Sequence, residues 1–339
     1  MKKKLFIRAD GNSRIGLGHI MRSMTIALEF KKRGHDCIYL SSKPVPFDIF
    51  ERYKFDVIEV DYNYDRKTIE EANAISEIVK DNYLLIDSYW INNEYLKVLK
   101  AICTTICINS TKEKLITDWL INENIACNQD YIFRLYSGCD THLLLGERYI
   151  PIRKEFQAIN YQLNDSVRNV LITTGGGDQY NFMTEFVKLI KNKVNYKNYK
   201  FVFISGACNA HVDELENEAK ECKNIVVVKN TFNISDFMKN SDIAISTGGT
   251  TILELSVVGV PTIGIAVAQD QIKGLMKMHN LGMIQYAGKA SEACLIEKVD
   301  MILNDLLDDR DLRIHLSKES SKYIDGNGAE RIFRQITGK

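Results

Sequence analysis

Lys4-Leu5-Phe6-Ile7-Arg8-Ala9-Asp10-Gly11-Asn12-Ser13-Arg14-Ile15-Gly16-Leu17-Gly18-His19-Ile20-Met21-Arg22 sets a strand, a glycine-bearing turn and a helix start in direct succession. Lys4–Ala9 reads as the strand. His19–Arg33 reads as the helix, with Ile20, Met24, Ala27 and Leu28 on one face and Gly34 as the stop signal. Gly16 and Gly18 let the backbone turn tightly and come close to a ligand. The helix start offers unpaired N–H groups and the positive end of a dipole. His19 stands in the first turn, aimed into a ligand cleft and placed to take a proton from a water or a hydroxyl. Gly-x-Gly alone is a weak signal. Gly-x-Gly-His-x-x-Arg, ending at Arg22, is a stronger one, against the plain alternative of a capping histidine over a tight turn.

The same rhythm continues outward. Strands are expected at Cys37–Leu40, Val57–Val60, Leu84–Ile86 and Thr105–Ile108, with helical stretches near 66–80 and 92–100. The pattern restarts after about residue 160. Asn169–Thr173 is a strand and Asn181–Lys191 a helix, and further strands follow at Phe201–Ile204, Ile225–Val228, Ile243–Ser246 and Thr262–Ala266. Alternating β and α elements imply parallel sheets covered on both faces. The expected architecture is α/β, with two facing Rossmann-like, doubly wound domains at 1–155 and 165–315. The polar stretch 155–167 serves as linker, and 316–339 ends in a helix near Gly328–Ile336 that crosses back to the first domain. Ligands of doubly wound sheets bind outside the carboxyl ends of the strands. The chemistry is therefore expected in strand-to-helix loops around an interdomain cleft.

Composition narrows the function. The 44 basic and 44 acidic residues balance, which offers neither a nucleic-acid surface nor an acidic tail. With 45% hydrophobic residues, 339 residues suffice for two cores. The basic start Lys2-Lys3-Lys4 precedes too short an apolar run for a signal peptide, and no stretch nears the roughly 18 apolar residues of a membrane span. The eight cysteines lack paired zinc-ligand spacing and read as reduced, buried thiols of a cytoplasmic protein. The oligomeric state stays open, a monomer included.

Three more turns carry candidate residues. Ser246-Thr247-Gly248-Gly249-Thr250-Thr251-Ile252-Leu253-Glu254 joins a strand to a helix. Gly248, Gly249, Thr250 and Thr251 suit a diphosphate cradle of backbone N–H groups. Glu254, one turn in, suits two ribose hydroxyls, against the plain reading of a dipole-complementing acid. Asp270 and Gln271 open the helix after Gly264–Ala268 and form a candidate sugar-side wall. Thr173-Thr174-Gly175-Gly176-Gly177-Asp178 is a glycine turn at the start of the second domain, with Gly175 and Gly176 as ligand contacts or simply a tight turn. No HExxH, P-loop or nucleophile elbow occurs, no acidic pair points to a metal, and residues 16–21 make no convincing nicotinamide site. Neither a metal nor a cofactor is expected.

Taken together, these residues resemble the UDP-2,4-diacetamido-2,4,6-trideoxy-β-L-altropyranose hydrolase family of pseudaminic (nonulosonic) acid biosynthesis. The resemblance rests on Arg8-Ala9-Asp10, the Gly16–Arg22 motif, Ile86-Asp87-Ser88-Tyr89, Leu145–Arg153, Gly175–Asp178, Gly248–Glu254 and Asp325–Ala329. More distantly, the second domain looks like that of the lipid II-forming N-acetylglucosaminyltransferase. The resemblance implies the GT-B fold and metal-independent hydrolysis of a UDP-sugar. Water attacks the anomeric carbon with inversion and UDP leaves. His19 activates the water, Asp10, Gly16, Gly18, Arg22 and Tyr89 lie on the sugar side, and Gly249, Thr250 and Glu254 hold phosphate and ribose. Ser88 replaces the family's usual histidine, Asn109-Ser110 a pair of acids, and Asp270 an asparagine. The uridine half thus looks kept and the sugar half altered. A glycosyltransferase using a UDP-amino sugar donor is the alternative, and a binding protein that has lost catalysis is a third.

Overall fold

The computed structural model describes residues 2–338 apart from 13, 109–112, 158, 230 and 232. Two compact units divide the chain: residues 1–151 with 327–339, and residues 152–326.

The first unit is built on a seven-stranded sheet. Its strands are β1 (Leu5–Ala9), β2 (Cys37–Ser42), β3 (Asp56–Val60), β4 (Tyr83–Asp87), β5 (Thr104–Ile108), β6 (Trp119–Asn122) and β7 (His142–Leu145). Their order is β3-β2-β1-β4-β5-β6-β7, all parallel. Successive side chains of a strand face opposite ways. Leu5, Ile7 and Ala9 accordingly join one apolar cluster, with Ile20, Met24 and Ala27 of the helix Gly18–Lys32. Phe6 joins another, with Leu40, Leu84 and Ile86. This two-sided burial is why the strands read as near-continuous apolar runs. The helix Gly18–Lys32 ends on Lys31 and Lys32, which complement the negative end of its dipole. The helix Gly328–Thr337 belongs to this unit. Its Ile332, Phe333 and Ile336 enter the β1 cluster, and the Arg33 guanidinium lies 4.7 Å from the Phe333 ring centre.

The second unit repeats the plan with β8 (Asn169–Thr173), β9 (Lys200–Ser205), β10 (Ile225–Lys229), β11 (Ile243–Thr247), β12 (Thr262–Ala266) and β13 (Gln285–Lys289). The order is β10-β9-β8-β11-β12-β13, again all parallel. In each sheet the chain runs outward from its first strand and then returns to that strand's other side. That reversal is the switch point at which doubly wound sheets open a crevice. It falls between β1 and β4, and between β8 and β11.

Three strands escape the sequence reading: β6, β7 and β13. The stretch 155–167, expected as a linker, lies in the second unit. Its start is a short helix, Lys154–Gln157, where Phe156 is buried and Gln157 Nε2 donates to the carbonyls of Ile152 and Gly326. The cysteines are free, but Cys208 and Cys294 are exposed and three others half-buried, so only Cys37, Cys103 and Cys107 fit the expected buried thiols. Among the described residues no helix is long and apolar enough to cross a membrane.

Candidate active site

In the first unit the switch point brings His19 and Asp87 together. Ala9 and Asp87 are register partners, so β1 and β4 end level. From the loop after β1 the chain turns back on itself through the Asn12–Gly16 bridge, with Asn12 Oδ1 accepting from the N–H groups of Arg14 and Ile15. Gly16 takes φ +70°, a conformation costly for residues with a Cβ. Leu17 then caps the helix without a side-chain hydrogen bond.

His19 is buried, and its Nδ1 lies 2.6 Å from Asp87 Oδ1. A carboxylate only accepts, so the proton of this bond sits on Nδ1, and Nε2 is the nitrogen that carries the lone pair of a neutral ring. Nε2 is buried and has no hydrogen-bond partner among the described residues. Arg22, one helical turn on, donates through Nη2 to Asp87 Oδ1 at 2.6 Å and through Nε to Oδ2 at 2.9 Å. Its Nη1 reaches Glu123, just past β6. Burial by itself would push the Asp87 carboxyl up, but Arg22 and the His19 hydrogen bond outweigh it and hold the group below its ordinary value. Asp87 thus stays ionised beneath the imidazole. The Tyr89 ring, half exposed, meets His19 edge-on with centroids 4.5 Å apart. Ser88 is buried and its hydroxyl accepts from Trp90 N, which makes it a turn former.

Asp10 is placed differently from its neighbours in the motif. Its Oδ1 accepts from Arg8 Nη1 at 2.6 Å and Ser42 N at 2.7 Å, and its Oδ2 from Lys67 Nζ at 3.3 Å. Arg8, fully buried, also bonds Glu71 at 2.6 Å and Ser42 Oγ at 2.7 Å. Asp10 therefore ties the ends of β1 and β2 to the segment before the helix Ile69–Val79, and none of its hydrogen bonds reaches His19.

In the second unit the loops after β8 and β11 lie side by side, and a Cβ built on Gly175 would sit 3.9 Å from Thr247 Oγ1. Gly175 has φ +75°, and a Cβ on Gly176 would meet nothing within 4 Å. After β11, Gly248 packs so closely that a Cβ would come within 2.8 Å of Leu275 Cδ1. Gly249 is the cap of the helix Thr250–Val258, with no side-chain cap bond and open space around it. Gly249 and Thr250 are exposed and Thr251 is half-buried. This uncapped start leaves backbone N–H groups for an anion. Glu254 is buried in the same helix, where Arg153 donates to its Oε1 through Nε at 3.0 Å and Nη2 at 2.9 Å. Gln271 Oε1 accepts from Val267 N at 3.0 Å and shapes the turn after β12, while Asp270 is exposed.

The structure therefore groups His19, Arg22 and Tyr89 around Asp87, and Gly248, Gly249, Thr250 and Gln271 around the ends of β11 and β12. It gives Asp10 to a buried ion cluster. Asn109 and Ser110 lie outside the described residues. Asp87, Glu123 and Arg153 received no role from the sequence. An acid directly after an expected strand was the available signal for Asp87. None existed for Glu123, which follows the unrecognised β6.

Known proteins share parts of this sequence and its fold. Residues 170–332 match the glycosyltransferase family 28 C-terminal domain. Over 332 residues the chain is 22% identical to the spore coat polysaccharide biosynthesis protein SpsG of Bacillus subtilis, covering 96% of this chain and 95% of that protein. Over 247 residues it is 25% identical to the UDP-2,4-diacetamido-2,4,6-trideoxy-β-L-altropyranose hydrolase of Campylobacter jejuni, covering 70% of this chain and 82% of that protein. The crystal structure of Acinetobacter baumannii MurG matches at a TM-score of 0.71 and 11% identity, with 100% of both chains covered. The fold is GT-B, two Rossmann-like parallel-sheet domains.

Proposed function

We propose that this chain is a nucleotide-sugar hydrolase that cleaves a UDP-amino-deoxy sugar at its anomeric carbon, the sugar being 2,4-diacetamido-2,4,6-trideoxy-L-altrose or a close isomer. The observation that carries the reading is His19, whose Nδ1 is held by an ionised, buried Asp87 and whose Nε2 has no hydrogen-bond partner among the described residues. In this scheme Nε2 takes a proton from water as the water oxygen forms its bond to the anomeric carbon. The carbon–oxygen bond to the diphosphate breaks with inversion, and UDP departs with the electron pair. Asp87 stabilises the imidazolium that results, and Arg22 fixes Asp87. The second unit holds the nucleotide, with the diphosphate at the start of the helix Thr250–Val258 and the ribose hydroxyls on Glu254. Backbone N–H groups there stabilise charge growing on the leaving group. The hydrolase name of the Campylobacter jejuni relative supports the choice of substrate.

A glycosyltransferase is the second reading, favoured by the match of residues 170–332 to a glycosyltransferase domain. The same base would then serve an acceptor hydroxyl instead of water. The deciding experiment incubates the protein with a panel of UDP-2,4-diacetamido-2,4,6-trideoxyhexoses and follows UDP and free sugar by NMR. Release of both from one isomer, lost in His19→Ala, is the expected result. Release by His19→Ala at the wild-type rate would remove the base from the scheme. Binding of UDP with no turnover in water, and turnover once an acceptor is supplied, would establish the transferase.

A further inference from the structure

Glu254 is a buried carboxylate whose hydrogen bonds among the described residues all fall on one oxygen. Both Arg153 donors, Nε and Nη2, go to Oε1. A side-on guanidinium can bridge both oxygens of a carboxylate. Here both donors fall on Oε1, and Oε2 has no hydrogen bond among the described residues. Arg153 is itself braced: its Nη1 lies 2.8 Å from Glu155 Oε1, and its guanidinium carbon lies 4.7 Å from the centre of the buried Phe156 ring. The short helix Lys154–Gln157, which the sequence suggested was linker, is thus a bracket that aims one arginine at one acid.

The bracket answers a physical difficulty at this position. A carboxylate in a buried setting drifts toward its neutral form, which accepts hydrogen bonds less well. Burial does raise the Glu254 carboxyl, and Arg153 acts against the rise. A donor pair confined to Oε1 supplies the opposing charge without using the oxygen a ligand would need.

We infer that Arg153 is the positioning residue for ribose recognition: by saturating Glu254 Oε1 it reserves Oε2, fixed in orientation, for the vicinal hydroxyls of a ribonucleoside diphosphate. The inference rests on the reading of Glu254 given under the proposed function. It makes the chain selective for ribose over 2′-deoxyribose, with the selectivity set by a residue that does not touch the nucleotide.

The test measures binding of UDP and of 2′-deoxy-UDP by titration calorimetry to the wild type, Arg153→Gln and Arg153→Lys. Wild type is expected to prefer UDP by about tenfold or more, the scale of one hydrogen bond to a charged group. Arg153→Gln is expected to lose that preference while its affinity for 2′-deoxy-UDP stays within about twofold. Arg153→Lys, with charge but a single donor centre, is expected to recover part of it. Binding of 2′-deoxy-UDP reports an intact fold in each variant. Equal weakening of both ligands in Arg153→Gln, or undiminished preference in that variant, overturns the role of Arg153. If Arg153→Gln does not fold, full wild-type preference in Arg153→Lys supports charge alone and overturns the oxygen-reserving geometry. No preference in the wild type itself overturns the assignment of Glu254 to ribose instead.

Discussion

Asp87 Oδ1 lies 2.6 Å from His19 Nδ1, although 68 residues separate the two in sequence. Asp87 is the last residue of β4, and His19 stands in the first turn of the helix that follows the neighbouring strand β1. The same Oδ1 also receives Arg22 Nη2 at 2.6 Å. A buried acid between a histidine and an arginine is held ionised and immobile, and it settles which imidazole nitrogen can accept a proton.

Replacing Asp87 by Asn tests that arrangement. The amide removes the charge that stabilises an imidazolium and can donate to Nδ1, which would move the ring proton to Nε2. The expected result is a fall in kcat of about a hundredfold or more with KM changed little. The double variant with His19→Ala should be no slower than His19→Ala alone, because the two residues act as one unit. Steady-state UDP release on the four proteins of this cycle checks both statements, and additive losses would show that Asp87 acts elsewhere.

Two adjacent glycines should separate stability from binding. A Cβ at Gly248 would approach Leu275 Cδ1 to 2.8 Å and Gln271 Cβ to 3.1 Å, so Gly248→Ala is expected to destabilise the chain by about 1–3 kcal/mol. Gly249 has φ −82° and open space around its Cα, so Gly249→Ala should leave the thermal midpoint nearly unchanged. If phosphate oxygens approach that bare backbone, the same methyl should weaken UDP binding about tenfold. Calorimetric melting and UDP titration of both variants give the comparison. A Gly249→Ala protein that binds UDP as the wild type does would place the diphosphate elsewhere.

Acid should weaken the fold through Asp10 and Asp87. Burial opposes ionisation at both, yet Arg8 and Lys67 at Asp10, and Arg22 and His19 at Asp87, hold each below the ordinary 3.8. The folded chain therefore binds fewer of these protons than the unfolded chain. The stabilisation is fully present above about pH 4 and is lost as pH falls through the folded values. Asp10→Asn leaves Arg8 and Lys67 buried beside a neutral partner and is expected to cost about 3 kcal/mol at pH 7. That deficit should shrink at pH 3, below the ordinary carboxyl value, where the unfolded wild-type chain takes up a proton that the folded chain resists. Urea unfolding of both proteins at the two pH values measures it, and a deficit constant with pH would contradict the linkage.

The fold was legible where apolar runs ended in glycine turns, as at Leu5–Ala9 before Gly11 and at Asn169–Thr173 before Gly175. It was illegible where strands lacked that signature. Gln285–Lys289 carries glutamine, lysine and a glycine at φ +120°, and it pairs across an irregular register with β12. Trp119–Asn122 is four residues long. Missing that strand concealed Glu123. Asp87 was visible as a residue, but its partnership with His19 depends on strand order, which local patterning does not encode. Asp10 shows the converse. Its place directly after β1 pointed to ligand, whereas Arg8 and Lys67, both buried, claim its charge.

The helix Gly328–Thr337 lends Ile332, Phe333 and Ile336 to the core around β1, the first strand of the chain. During synthesis, then, the segment that starts the first unit emerges long before the segment that seals it. A nascent chain that has passed residue 151 still shows the face that these three side chains cover, and the whole second unit can close before the first is finished. The second unit is inserted in sequence within the first, so the helix Gly328–Thr337 reaches the domain that carries His19 only after the whole second unit has been synthesised.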